Sequence, residues 1–261
     1  MKIRRIYGVI LRALYCFRHS LDKMVDTFYW PAIDLCLWGI TSIYFMAKAE
    51  HAALITQAIV TAIALWTVVY RAQYEVSGNL LEELWSRNLV NMFVAPLTFQ
   101  EWLSGFLLVG IVKSAISLGF AGVLAAFLYG VSLSIFGWRL VAYAAILLMC
   151  GWVLGLLVTG IILRYGTRIQ AIAWTVVWVI APFAAIYYPA SILPAWAYRI
   201  AQFVPITYVF EDMRSVITGG SGSNRGLWYG FLLNCAYLGL SYLFITRSFR
   251  KVLERGLVKV Y

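Results

Sequence analysis

Runs of apolar residues, parted by short polar or charged breaks, repeat along the chain from residue 28 to residue 246. They cover 28–47, 54–70, 103–129, 140–163, 169–187 and 227–246. Each is near the length of roughly 20 residues at which an α-helix crosses a hydrocarbon layer about 30 Å thick. Backbone N–H and C=O groups cannot stay bare in lipid, so spanning segments are helices or closed barrels. Barrel strands would be short and alternating, whereas a run such as 142–163 is continuously apolar. The pattern predicts an all-α polytopic membrane protein: six transmembrane helices in a single domain over 1–261.

Three stretches depart from that pattern. Residues 1–24 place Ile3, Ile6, Tyr7, Ile10, Leu14, Phe17 and Leu21 at helical spacing, with Arg5, Arg12 and Arg18 between them. That spacing predicts an N-terminal interfacial helix on a membrane surface, with a solvated basic tail as the alternative. Residues 73–102 read as a polar loop between the second and third spans and carry Glu75, Glu82, Glu83, Arg87 and Glu101. Within them, 82–101 reads as an amphipathic cytosolic helix offering Leu84, Leu89, Phe93 and Leu97 to a partner or to the lipid surface. Pro96 ends or kinks that helix, and Thr98 with Glu101 has capping-box spacing for the next one. Residues 188–225 predict two short helices. The first carries Trp196, Ile200 and Phe203 on one face and stops before Pro205. The second carries Phe210, Met213 and Ile217 and is closed by Gly219 and Gly220. Too short and too polar to cross, the pair reads as an outer re-entrant or interfacial hairpin before the last span.

Composition agrees with a membrane protein: 63% of the 261 residues are hydrophobic and only 12% charged, against about a quarter charged in soluble domains. Mean hydropathy is +0.82. The net charge of +10 sits where spans are flanked, which argues against a nucleic-acid partner. Lys2, Arg4, Arg5, Arg12, Arg18 and Lys23 precede the first span, and Arg247, Arg250, Lys251, Arg255 and Lys259 follow the last. The positive-inside rule then places both termini in the cytosol, beside anionic lipid headgroups. Arg71, Arg87, Arg164 and Arg168 fall on the same side, and Lys48, Arg139, Arg199, Arg214 and Arg225 outside. No cleavable leader is evident. Cys16, Cys36, Cys150 and Cys235 lack metal or redox spacing. Gly151 with Gly155, and the series Ala115, Gly119, Gly122 and Ala126, offer small-residue faces for close helix packing.

Catalytic chemistry is not indicated. The chain has no phosphate-binding Gly-x-x-x-x-Gly-Lys-[Ser/Thr] loop, and its histidines, His19 and His51, lie at span edges. This argues against bound ATP, a His-based metal site and a Ser–His hydrolase. Charges inside a bilayer are functional candidates. Asp34 lies roughly 10 Å into the first span, and Lys113 somewhat deeper in the third. They either pair across the bundle or each reach water alone. Trp66, Trp174 and Trp178 either line a path with aromatic faces or face lipid.

Two of these stretches resemble the ABC-2 family of ABC exporter permeases. Such permeases follow their second span with an acidic stretch, a leucine-rich helix and a Ser-Pro-Leu-Ser-like turn with a downstream Glu. Glu82, Glu83, Asn88, Leu89, Phe93, Pro96, Leu97, Thr98 and Glu101 match. Arg87 stands where a small residue such as Gly is usual, and Ala95 where Ser is usual. The family's outer device carries Leu-Pro-x-Trp and then Asn-Pro-x-Thr-Tyr; here Leu193, Pro194 and Trp196 match, then Pro205, Thr207 and Tyr208, with Val204 in place of Asn. The resemblance implies that 82–101, Arg87 included, is a coupling helix docking into a cytosolic ABC ATPase subunit, and that 188–225 shapes an outer gate. It implies a homodimer in a bacterial inner membrane that exports a lipid-like, drug or glycan substrate. ATP and Mg would be held by the ATPase, with no cofactor in this chain. An ion-coupled secondary transporter is the alternative; it would more readily show internal repeats and broken mid-membrane helices. A lipid-modifying enzyme would show clustered Asp or His, which this chain does not.

Overall fold

The computed structural model describes residues 2–46, 52–88 and 96–255, and every regular element among them is helical. The α-helices are α1 (Ile3–His19), α2 (Leu21–Met46), α3 (Ala52–Trp85), α4 (Phe99–Tyr129), α5 (Arg139–Tyr165), α6 (Ile172–Ile180), α7 (Ala195–Ala201), α8 (Pro205–Ile217) and α9 (Asn224–Arg255). Four segments are long and apolar enough to cross a bilayer: Ala53–Trp85, Phe99–Tyr129, Arg139–Ile169 and Asn224–Glu254. The chain is an integral membrane protein of packed helices.

α3 and α5 form the centre. α3 packs against α2, α4, α5, α6 and α8, while α5 also holds α9. At one end Leu65, Trp66 and Val69 of α3 meet Tyr143, Ile146 and Leu147 of α5 and Ile206, Phe210 and Met213 of α8. At the other, Val76, Leu80 and Leu84 meet Phe99, Trp102 and Phe106 of α4, Leu156 and Ile162 of α5 and Ile245 of α9. The central seam depends on the predicted glycine pair. A Cβ on Gly151 would stand 2.6 Å from Ala72 Cβ and 2.7 Å from Val69 O, and one on Gly155 would stand 3.0 Å from Gln73 O. The series Ala115, Gly119, Gly122 and Ala126 is different: Ala115, Gly119 and Ala126 are exposed on this chain. Gly151→Ala is therefore expected to destabilise by about 1–3 kcal/mol through overpacking. Gly119→Ala, with open space around it, should be neutral or slightly stabilising; thermal unfolding of the two variants in detergent checks the contrast.

Two expected boundaries move. The polar stretch from 73 is not a loop but the second half of α3, unbroken to Trp85. Gln73, Glu75, Ser77 and Glu83 are buried there beside Val76, Leu80, Leu81 and Leu84, because basic residues from α1, α2 and α4 meet the carboxylates. The run 169–187 is not one helix either. α6 has 9 residues and passes into a 3-10 turn at Ala181–Phe183. Pro182 lacks an N–H, and Ala185 takes a left-handed φ of 55°. The first expected span, as far as residue 46, lies within α2, which is 26 residues long and carries Pro31 and the polar Asp34 inside it; residue 47 lies outside the described residues.

α1 is a separate amphipathic helix lying on α4, with Val9 against Gly105. Ile6, Ile10, Leu14 and Phe17 are half-buried, whereas Ile3, Tyr7, Leu11 and Tyr15 form an exposed apolar stripe. Both faces suit a helix at a membrane surface. The two short helices expected in 188–225 are α7 and α8: α7 leaves Trp196 and Ile200 exposed, as is Phe203 just after it, and α8 buries Phe210, Met213 and Ile217 in the core.

Candidate functional site

A cavity of about 330 Å³ opens between α2, α3, α4 and α6. Trp30, Pro31 and Asp34 come from α2; Trp66, Thr67, Tyr70 and Arg71 from α3; Ser117 from α4; Trp174 and Trp178 from α6. Three of the helices send in residues one turn apart: Trp30 and Asp34 from α2, Trp66 and Tyr70 from α3, Trp174 and Trp178 from α6. The three tryptophans singled out in the sequence thus line one space, which Trp30 completes. Trp30 and Trp178 are both 49% exposed and stand at its mouth, whereas Trp66 is buried at 4%.

A polar crevice adjoins this cavity and shares Arg71 with it, lined further by Asp22, Lys23, Asp26, Tyr74, Glu75, Asn79, Glu82 and Lys113. Arg71 donates Nη1 to Asp26 Oδ2 at 2.7 Å and Nη2 to the Asp26 carbonyl at 2.9 Å. Lys113 Nζ lies 2.8 and 2.9 Å from the two Glu75 carboxylate oxygens, both side chains buried. Asn79 Nδ2 donates to the same carboxylate at 3.1 Å, and the Phe17 ring of α1 lies 5.0 Å from Lys113 Nζ. Lys113 therefore pairs with Glu75 and not with Asp34. Depth alone suggested the latter; the rotation of α4 turns Lys113 toward α3 instead. Asp34 has no ion pair or hydrogen bond among the described residues. Sequence reading missed Asp26, Tyr70, Arg71 and Glu75, although Arg71, Glu75 and Asn79 recur every fourth residue as one helix face.

The acidic residues expected to couple to a partner are held by the chain's own N-terminus. Lys23 Nζ reaches Glu82 at 2.6 Å, Arg12 reaches Glu83 at 2.7 Å and Arg5 reaches Glu101 at 3.4 Å. Glu101 also accepts the Lys2 N–H at 2.7 Å. The capping box is formed: Thr98 Oγ1 accepts the Glu101 N–H and the Glu101 carboxylate accepts the Thr98 N–H. α3 ends in a Schellman motif, Asn88 N–H to Glu83 O and Arg87 N–H to Leu84 O. Arg87 there has a φ of 52°, the left-handed region that favours the small residue usual in the ABC-2 pattern. Asn88 Nδ2 donates to Glu83 at 2.7 Å. Leu97 is half-buried against the core near α4, and Pro96 is exposed. Leu89 and Phe93 lie outside the described residues.

Residues of 188–225 tie α7 and α8 to their neighbours. Pro194 caps α7 and Pro205 starts α8, with Leu193 half-buried before them. Trp196 meets Phe183 edge to face at 6.0 Å, Thr207 Oγ1 donates to Phe183 O at 3.1 Å, and Tyr208 OH donates to Gln202 O at 2.8 Å. The stronger anchors were not legible as such. Asp212 accepts from Arg139 at 2.8 Å and from Tyr143 OH at 2.5 Å, and also from the Ser223 N–H. Gly222, at φ 70°, leaves room for this cluster: a Cβ would stand 2.7 Å from Arg139 and Asp212. Arg214 donates to the carbonyls of Ala185 and Ile186, meeting backbone acceptors that the break after α6 leaves open. Burial depresses the Arg214 pKa, and Glu211 beside it opposes that shift. No cluster of metal-ligating side chains exists among the described residues. Set against models of known protein families and against curated proteins, the chain finds no match.

Proposed function

We propose that this chain is the membrane permease of an ATP-driven exporter of the ABC-2 kind, its nucleotide hydrolysed by a separate cytosolic subunit. The aromatic cavity between α2, α3, α4 and α6, which shares Arg71 with a charged crevice, is the observation that carries this reading. An amphipathic cargo needs both environments. In this reading the chain has six spans, α2 being the first and α6 with its irregular continuation the fifth, and both termini face the cytosol of a bacterial inner membrane. α6 is only about 14 Å long at 1.5 Å per residue. The rest of that crossing is broken backbone, tolerable in a membrane where other parts of the protein satisfy it, as Arg214 does. Two copies would face each other across their cavities. The segment joining α3 to α4, flanked by Glu82, Glu83 and Glu101, would meet the ATPase, and the 188–225 hairpin would gate the outer side.

A second reading, an ion-coupled transporter, draws on one observation: Asp26–Arg71 and Glu75–Lys113 form successive ion pairs, the second fully buried, beside the cavity. Co-expression with a nucleotide-binding subunit, sought among the neighbouring reading frames, decides between them. The exporter reading expects a stable complex whose ATPase exceeds that of the soluble subunit alone. Arg87→Glu, at an exposed position of the segment joining α3 to α4, should reduce that stimulation at least fivefold. Uptake into proteoliposomes driven by an ion gradient, with no ATPase bound, would instead establish the second reading.

A further inference from the structure

The cavity combines two features that bear on the charge of its occupant. Its walls are aromatic, with Trp30, Trp66, Trp174, Trp178 and Tyr70. Its charges are unequal. Arg71 reaches the wall but is satisfied twice by Asp26, through carboxylate and backbone carbonyl. Asp34, half-buried in the middle of α2, lines the same wall and is paired with no cation among the described residues. An unpaired carboxylate beside apolar rings is costly unless something compensates it. The ring faces, negative at their centres, favour the same compensation. A neutral or anionic occupant would leave Asp34 unmatched; an organic cation would answer both the carboxylate and the rings.

The neighbouring crevice has the same sign. In the adjoining crevice the carboxylates of Asp22, Asp26, Glu75 and Glu82 outnumber the cations of Lys23, Arg71 and Lys113. A volume of about 330 Å³ lies at the lower end of small-molecule sites, which run from about 300 to 1,000 Å³. That suits a compact ligand better than a polymer.

We propose that this cavity binds a lipophilic organic cation, a quaternary ammonium, phosphonium or protonated amine bearing aromatic or alkyl groups, with Asp34 as its counter-ion. As a statement about cargo it rests on the exporter reading; as a statement about binding it needs only this chain. Tetraphenylphosphonium and tetraphenylborate have nearly the same shape and opposite charge, and so isolate the electrostatic part. In calorimetric titrations of the purified full chain in detergent, tetraphenylphosphonium should bind saturably and at least thirtyfold more tightly than tetraphenylborate. Asp34→Asn should weaken the phosphonium at least tenfold, Asp34→Glu by less than threefold, and Trp178→Ala, at the mouth, about fivefold. Equal affinity for the two ions, no saturable phosphonium binding, or a monodisperse Asp34→Asn protein that binds like the parent would overturn the proposal. If Asp34→Asn does not stay monodisperse, the ratio between the two ions on the parent chain decides. Failure of the exporter reading has a different signature: phosphonium still binds, yet the protein with its ATPase moves none of it when ATP is added.

Discussion

Replacing Lys113 with methionine is expected to lower stability by about 3–5 kcal/mol, the cost of leaving one member of a buried ion pair without its partner. Both Glu75 carboxylate oxygens lie within 2.9 Å of Lys113 Nζ, and the Glu75 side chain is 2% exposed. Once the ammonium is gone, Asn79 is the remaining donor to that carboxylate among the described residues. One neutral amide does not offset a buried negative charge. The damage should be repairable. Lys113→Met combined with Glu75→Leu removes both charges and should recover most of the loss, since apolar residues of similar volume often replace a buried pair at little cost. Thermal unfolding of the single and double variants in one detergent measures the coupling directly. If Lys113→Met unfolds at the parent's temperature, the pair is not shielded from water as drawn.

A second large effect is expected where α5, α8 and the loop before α9 meet; there Asp212→Ala should also cost about 3–5 kcal/mol. The Asp212 carboxylate is nearly inaccessible and accepts from Arg139, from Tyr143 OH and from the Ser223 N–H. Its removal leaves a guanidinium, a buried hydroxyl and a loop amide short of an acceptor. Arg139 retains bonds to Ser221 O and Asn224 Oδ1, so the loop before α9 should loosen rather than detach. Tyr143→Phe, which deletes one donor and leaves the ion pair, should cost about 1–3 kcal/mol. Protease sensitivity at 219–223, read beside the melting temperature, separates the two variants. Cleavage should rise strongly for Asp212→Ala and little for Tyr143→Phe.

The helical, membrane-spanning character of the chain was legible because it depends on local quantities. The length of an apolar run, Thr98 three residues before Glu101, and Pro205 at a helix start each act within one turn or one helix. What could not be read was rotation and partnership. Residues 73–85 looked like a loop because they carry acids, yet the cations that meet those acids come from far along the chain. Lys23 lies 59 residues from Glu82, and Lys113 lies 38 from Glu75. Likewise Asp34 and Lys113 were comparable in depth, but depth says nothing of which way a side chain leaves its helix. The break after α6 was visible as Pro182 inside an apolar run, a signal outweighed by the run's hydropathy. In the cavity, Trp66, Trp174 and Trp178 stood out by type, while Trp30 and Tyr70 join them only through helix packing.

The α3–α5 seam also bears on where this molecule can change shape. At Gly151 and Gly155 the backbone of one helix lies against the backbone and short side chains of the other. Such a contact has no rotamers to exchange and therefore one good arrangement, so the two helices translate and rotate together. Around α2 and the start of α4 the contacts are long ionic side chains, Lys23 to Glu82, Arg71 to Asp26 and Lys113 to Glu75. Those can trade partners within a few ångströms while staying neutralised. The chain thus has a stiff keel and a compliant flank, and its aromatic cavity lies on the line between them, where a small sliding of α2 would alter the opening most.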